Sequence, residues 1–346
     1  MANDGRATMR DVASLANVSI ASVSNYLNGR WARLSPQTCD RIESAINTLG
    51  YQVNSSARSL RSSRTRAIGL LALDDTLRFL ADPLTGLYLA GMGDTARDNG
   101  YSVLVHASPS KSRTDELMMP IAERRVDAVC VLLSGERSTR RRVLRKLDAS
   151  TVPYVVFDEI ETLNAAPRAN SVRADQVAGG VALVEHLIST GHRRIGFIAA
   201  RTPWAVLEQR FDAYKKVLRR HKLAVDNDLC LFEGDWTPDG AGAMVDRLLR
   251  LREPPTAVVC GSDLLAIGAI RAAQDRGFAV PDDIAVAGFD DFDVARHVSP
   301  PLTTVHVPAA EMGRAAAALL ISHLERENPV SESVSLPTNL VVRESA

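Results

Sequence analysis

The chain has 346 residues, 46% of them apolar and 24% charged, with formal charges that cancel. That length passes the ~250–300 residues at which single cores stop growing, so more than one domain is expected. No run approaches the ~20 apolar residues of a bilayer span, the first twenty residues lack an apolar signal-peptide segment, and four scattered cysteines (Cys39, Cys130, Cys230, Cys260) without a C-x-x-C pair argue against a disulfide framework; the expected location is the cytoplasm.

The charge is unevenly placed. Residues 1–66 hold nine arginines, no lysine and four acids, a net of +5, so the remaining chain carries −5. A basic module joined to an acidic one suits binding of a polyanion, although a solvated basic face would read the same from charge alone.

Thr8 with Asp11 three positions on is a capping pattern that opens a helix placing Val12, Ala13, Leu15 and Ala16 on or near one side. Asn17 tolerates the left-handed conformation that ends it, Ser19 caps a second helix running to about Leu27, and Gly29 supplies the exit. At ~100° per residue, Ile20, Val23 and Leu27 fall on one side of this second helix, while Ala21, Ser24, Asn25 and Asn28 fall on the other. The second set is small, uncharged and polar, which suits base edges, and Ser19 and Ser22 can bond phosphates. Ser35-Pro36, then Ile42, Ala45, Ile46 and Leu49, then Gly50 mark a third helix. Spacing alone leaves two readings open, a DNA reader or a small structural three-helix domain.

The segments TMRDVASLANVSIASVSNYLNG, LSPQTCDRIESAINTLGYQVN and ARSL resemble the N-terminal module of the lac repressor family of transcription regulators. The resemblance implies that Ile20, Ala21 and Asn25 touch bases, and that Ser19, Ser22, Ser24 and Asn28 lie near phosphates or base edges. Asn54 to Arg66 has few apolar residues to bury and reads by itself as a flexible linker. The resemblance makes it a hinge helix that folds on the operator, with Leu60 as a minor-groove wedge and Ala57 and Arg61 beside it. Val53 stands where many relatives have Pro.

From Ala67 the pattern becomes apolar strands alternating with helices. Strands are expected over 67–73, 101–107, 127–133 and 153–159, with helices near 83–99, 114–125 and 139–149. A second series of strands follows at 194–200, 230–236, 256–262 and 284–291. Two such series imply two parallel α/β lobes with strand ends facing a cleft. Asp158, Trp236, Ser262-Asp263 and Asp290-Asp291 fall where strands give way to loops. No H-E-x-x-H, G-x-S-x-G, P-loop or G-x-G-x-x-G occurs, so neither an enzyme nor a cofactor or metal site is expected.

The resemblance continues through NSVRADQVAGGVALVEHLISTGHRRIGFI, SDLLAIGAIRA, VPDDIAVAGFDD and LPTNLVVRES, which are similar to the family's effector domain. It implies an α/β architecture: an N-terminal helix-turn-helix three-helix domain (1–53), a hinge (54–66) and a two-lobed periplasmic-binding-protein-like effector domain (67–346). The expected lobes are about 67–160 with 294–326, and about 168–290 with 334–346, joined by crossings near 158–170, 289–296 and 326–335. Arg210 matches the arginine that grips effector oxygens, Trp236 a ring that stacks on a sugar, and Asp290 a carboxylate accepting from hydroxyls; Phe79, Asp158 and Ser262 complete the expected site. Leu77-Arg78 replaces a common Asn-Pro, and Ser262 a common Asn. The expected partners are a near-palindromic double-stranded operator, a small effector of the sugar class and a second copy of the chain, with no membrane. Because LVVRESA carries no heptad pattern, a dimer is expected rather than a coiled-coil tetramer. A transport-type sugar-binding protein is the rival reading for residues 67–346.

Overall fold

The computed structural model describes residues 7–27, 29–51, 64–74, 79–109, 114–159, 168–201, 204–326 and 331–346. The chain divides into two compact units, Met1–Thr65 and Arg66–Ala346.

In the first unit, α1 (Met9–Leu15) opens on Thr8, whose Oγ1 accepts from the Asp11 N–H while the Asp11 carboxylate accepts from the Thr8 N–H at 2.8 Å. Asn17, at φ 51°, turns the chain into α2 (Ile20–Leu27), where Ser19 Oγ accepts from the Ser22 N–H at 3.0 Å. Ser35 caps α3 (Pro36–Leu49), which ends at Gly50 in the left-handed conformation. Val12, Ala13, Ala16, Val23, Ile42 and Ala45 form the core, with Leu27 packed against it. Two expected packing residues stay outside: Leu15 is 53% and Ile20 44% exposed. Helices α1 (7 residues) and α2 (8 residues) each span only about two turns and spend their buried stripe on the residues nearest the three-helix axis, so the flanking positions remain in water.

The second unit contains two parallel sheets. The first lobe is built from β1 (Ala67–Leu73), α4 (Pro83–Asp98), β2 (Ser102–Ser108), β3 (Ala128–Leu133), α5 (Arg137–Ala149), β4 (Tyr154–Phe157) and β5 (Asn170–Ala174). The chain then passes to the second lobe with α6 (Gln176–Ser189), β6 (Ile195–Ala199), α7 (Ala205–Arg220), β7 (Cys230–Phe232), α8 (Pro238–Leu249), β8 (Ala257–Cys260), α9 (Asp263–Gln274) and β9 (Ala285–Ala287). After β10 (Thr304–His306) it returns to the first lobe for α10 (Ala309–Glu325) and β11 (Ser333–Leu336), and closes with β12 (Asn339–Val341). The first sheet runs β11-β5-β4-β3-β1-β2 and the second β7-β6-β8-β9, while β10 pairs antiparallel with β12. Every residue of β1, β3 and β4 is buried, as expected of parallel strands covered on both faces. Helices α4 and α10 approach so closely that a Cβ on Gly91 would lie 1.9 Å from the Ala310 carbonyl oxygen, and one on Gly313 2.2 Å from that of Tyr88.

The crossings differ from those read in the sequence. Strand β5 pairs with β4 and β11 in the first sheet, so the chain leaves the first lobe after Ala174 instead of over 158–170. Ala295 and Leu302 belong to the core of the second lobe, so the return falls beyond 289–296, at 304–309. The last crossing lies between β11 and β12, after 326–335. The helix expected over 114–125 is two short turns, Thr114–Leu117 and Met119–Ala122, because Pro120 lacks the N–H that a helix interior requires. Among the described residues no helix is long and apolar enough to cross a membrane.

Candidate DNA-reading face and ligand cleft

On α2, Ser19, Ile20 and Ala21 are exposed, and Ser22, Ser24 and Asn25 are half-buried. They run from the residue before α2 to its sixth residue, and of α2 Val23 alone is fully buried. Ser19 and Ser22 lie with their hydroxyls 2.9 Å apart. The Asn25 carbonyl accepts from the Arg30 N–H at 2.9 Å, turning the chain after Gly29 (φ 68°). A face of methyls, hydroxyls and one carboxamide can approach base edges closely and carries no charge to desolvate. Asn28, Ala57, Leu60 and Arg61 lie outside the described residues.

In the second unit, a cavity of about 270 Å³ lies between the lobes. Phe79, Asp158, Arg210, Trp236, Ser262 and Asp290 all line it. Asp158, Trp236, Ser262 and Asp290 reach it because the turns after β4, β7, β8 and β9 open toward one crevice, the carboxyl edge of parallel strands, while Phe79 comes from the segment after β1 and Arg210 from α7. Asp158 (φ 51°) and Asp290 (φ 112°) hold conformations that cost side-chain-bearing residues about 1–3 kcal/mol, which the surrounding bonds sustain.

Arg210, on α7, is locked in place. Its Nε donates to Gln176 Oε1 (2.9 Å), Nη1 to the Gly261 carbonyl (2.7 Å) and Nη2 to Asp290 Oδ1 (2.8 Å), and its guanidinium lies 3.8 Å from the centroid of the Phe289 ring. Asp158 accepts from the Ala174 N–H (2.9 Å) and the Tyr88 hydroxyl (3.1 Å). Burial raises the Asp158 carboxyl above the usual range. Burial also pushes Asp290 up to about 7, with Arg210 opposing and the charges of Asp82 and Asp158 adding to the rise. Behind them, Asp263 is pushed up to about 8 by burial and by the charge of Asp290, against bonds from Thr304 Oγ1 and the Phe292 N–H.

Several lining residues carry no signal that the sequence reading used. Trp204, at the head of α7, adds a second indole, and Tyr88 stacks on Phe157 with centroids 4.5 Å apart. Asp74 and Asp235 also line the cavity and follow β1 and β7, so the strand-end rule applied to every strand would have found them. Phe79, Tyr88, Phe157, Trp204, Trp236 and Phe292 put aromatic rings on the walls, and the carboxylates and Arg210 supply acceptors and a donor. Such a cleft can hold a hydroxyl-rich ligand with an apolar C–H face.

Comparison with known proteins places both parts of the chain in known families. A model of bacterial regulatory proteins, lacI family, matches residues 8–54, and one of a periplasmic binding protein-like domain matches residues 184–346. The HTH-type transcriptional repressor PurR of Mannheimia succiniciproducens is 30% identical over 340 residues, covering 98% of each chain. The chain belongs to the lacI family of bacterial regulatory proteins. Two solved structures of lacI-type regulators are similar throughout. The transcriptional regulator CelR–cellobiose complex is 31% identical with a TM-score of 0.73, covering 99% of this chain and all of the other. The lac repressor dimer bound to operator and the anti-inducer ONPF is 26% identical with a TM-score of 0.83, covering 98% of this chain and 99% of the other. This lacI-family chain is a DNA-binding transcriptional regulator with a small-molecule effector domain, which sets aside the transport-type reading of residues 67–346. Its relatives are regulators and not enzymes.

Proposed function

We propose that the protein is a repressor that binds a near-palindromic operator as a two-fold dimer and is controlled by a neutral sugar held between the lobes. The observation that carries the sugar class is the meeting of Arg210, Asp158 and Asp290 with Trp236 around one cavity, a donor fork and acceptors beside an indole face. The CelR–cellobiose complex among the similar structures supports the same class.

On DNA, Asn25 would read adenine while Ile20 and Ala21 meet thymine methyls, with Ser19, Ser22, Ser24 and Asn28 at phosphates or base edges. The hinge over 54–66, with Leu60 between base pairs and Ala57 and Arg61 beside it, would supply bending and backbone contacts. Ligand-driven rotation of one lobe against the other would alter the spacing of the two hinges and so couple two distinct sites. The test is a mobility shift of the intact protein against a randomised duplex pool, repeated with a panel of sugars and nucleobases. Enrichment of a near-palindrome whose binding responds to a sugar is expected. A response to a nucleobase alone would replace the ligand class, and the absence of any enriched palindrome would remove the operator reading.

A further inference from the structure

Helix α5 of the first lobe and helix α7 of the second meet in one cluster of charges beside the cavity. Arg140 on α5 is completely buried; its Nε lies 2.9 Å from Glu159 Oε2, its Nη1 donates to the Gly135 carbonyl at 2.9 Å, and its Nη2 lies 3.5 Å from Glu208 Oε1. Arg137, one turn earlier and half-exposed, donates from Nε (3.2 Å) and Nη2 (2.9 Å) to Glu208 Oε2. One carboxylate of the second lobe thus serves two guanidiniums of the first. The adjoining residues also bridge the lobes: Gln209 Nε2 donates to the Asp158 carbonyl at 3.1 Å, and Trp204 pairs backbone to backbone with Ser134. Both Trp204 and Asp158 line the cavity.

We propose that Glu208 is a positioning residue for closure of the cleft, a latch between the lobes that acts without touching the ligand. Glu159 comes from the same lobe as Arg140 and stays beside it whatever the lobes do. Glu208 comes from the other lobe, and its contacts with Arg137 and Arg140 exist only when α5 and α7 are together. An exposed pair such as Arg137–Glu208 alone would contribute little. The buried Arg140 changes the balance, because a guanidinium held away from water is destabilised when a neighbouring carboxylate leaves. The latch therefore biases the chain toward the closed form before ligand binds, and a closed-form ligand finds its site partly assembled.

The proposal rests on the lobe movement invoked for effector control, and two arms of one experiment separate them. Of the three tryptophans, Trp31 lies in the first unit and is 62% exposed, while Trp204 and Trp236 line the cavity. In a full-length Trp31→Phe background, tryptophan emission and its quenching by acrylamide then report cleft opening with no ligand present. Glu208→Gln should red-shift the emission and increase quenching while far-ultraviolet circular dichroism is unchanged. Arg137→Gln, which leaves the Arg140 contact, should do so to a smaller extent. Unaltered emission and quenching in Glu208→Gln, or a larger change in Arg137→Gln, would overturn the latch. In the second arm, cellobiose and other neutral disaccharides are added to the Trp31→Phe parent. A response there with no ligand-free effect of Glu208→Gln removes the latch and leaves ligand-driven closure standing. No response to any sugar removes the sugar reading and leaves the latch to be decided by the ligand-free comparison.

Discussion

Arg210 Nη2 donates to Asp290 Oδ1 at 2.8 Å, and both side chains are almost fully buried at the edge of the cavity. The pair joins α7 to the turn that follows β9. Asp291, the next residue (φ 58°), faces the crossing strands: its Oδ1 accepts from Arg343 Nη2 at 2.6 Å, and its Oδ2 lies 3.2 Å from His306 Nδ1. Two consecutive carboxylates therefore connect the cleft to the strands between the lobes.

Removing one member of this pair leaves the other charge buried. Arg210→Ala should destabilise the effector domain by about 3–5 kcal/mol in urea unfolding. Operator binding by the fraction still folded should lose its response to ligand. A ligand response of ordinary size in this variant would take Arg210 out of the site.

Asn25→Ala should lower affinity for the preferred operator by about 1–3 kcal/mol and relax selectivity at one base pair per half-site. The measurement is competition between single-base operator variants. A uniform loss across all variants would make Asn25 a backbone contact.

Leu60→Ala should weaken operator binding and leave ligand affinity, measured by calorimetry, unchanged. The cost of unstacking a base step is repaid only if an apolar wedge holds it open. With no charged side chain among Ile20, Ala21 and Asn25, binding should also weaken steeply with added salt. An operator affinity that Leu60→Ala leaves intact would assign the hinge another role.

Asp263 fixes a pH dependence. Its carboxyl is pushed up to about 8 in the folded chain, whereas an unfolded aspartate titrates near ~4. Between these values the folded state binds the extra proton, so this group's contribution to stability falls as pH rises from about 4 through 8. Urea unfolding of the parent should show that decline, and Asp263→Asn should make it shallower, above all toward pH 8, with the part from Asp290, pushed up to about 7, remaining. An equal slope in both would place the titration elsewhere.

Gly91→Val should destabilise strongly, because even a Cβ would lie 1.9 Å from the Ala310 carbonyl oxygen. Overpacking typically costs about 1–3 kcal/mol, and here the obstacle is backbone that cannot rotate aside. Thermal unfolding would measure it. A melting temperature equal to the parent's would mean that α4 and α10 can separate.

What the residues alone determined is what local chemistry decides. Thr8, Ser35 and Gly50 bound their helices by hydrogen bonds and dihedral angles that need no distant partner, and the fully apolar runs of β1 and β3 announce strands covered on both faces. The strand-end rule brought Asp158, Trp236, Ser262 and Asp290 to one crevice because parallel strands all open on the same edge. Tertiary structure decided the rest. Strand β5 reads NSVRA and β11 SVSL, too short and polar to signal burial; only pairing with β4 and with each other makes them strands, and that pairing moved the first and last crossings. Ile20 stayed in water because so small a three-helix unit leaves room at its centre for few side chains. The partners of Arg210 lie 34, 51 and 80 residues away, and Glu208 meets Arg140 from the opposite lobe. Whether a charged side chain is a solvated surface group or a buried one depends on which elements close over it, and that is settled by packing between segments far apart in the chain.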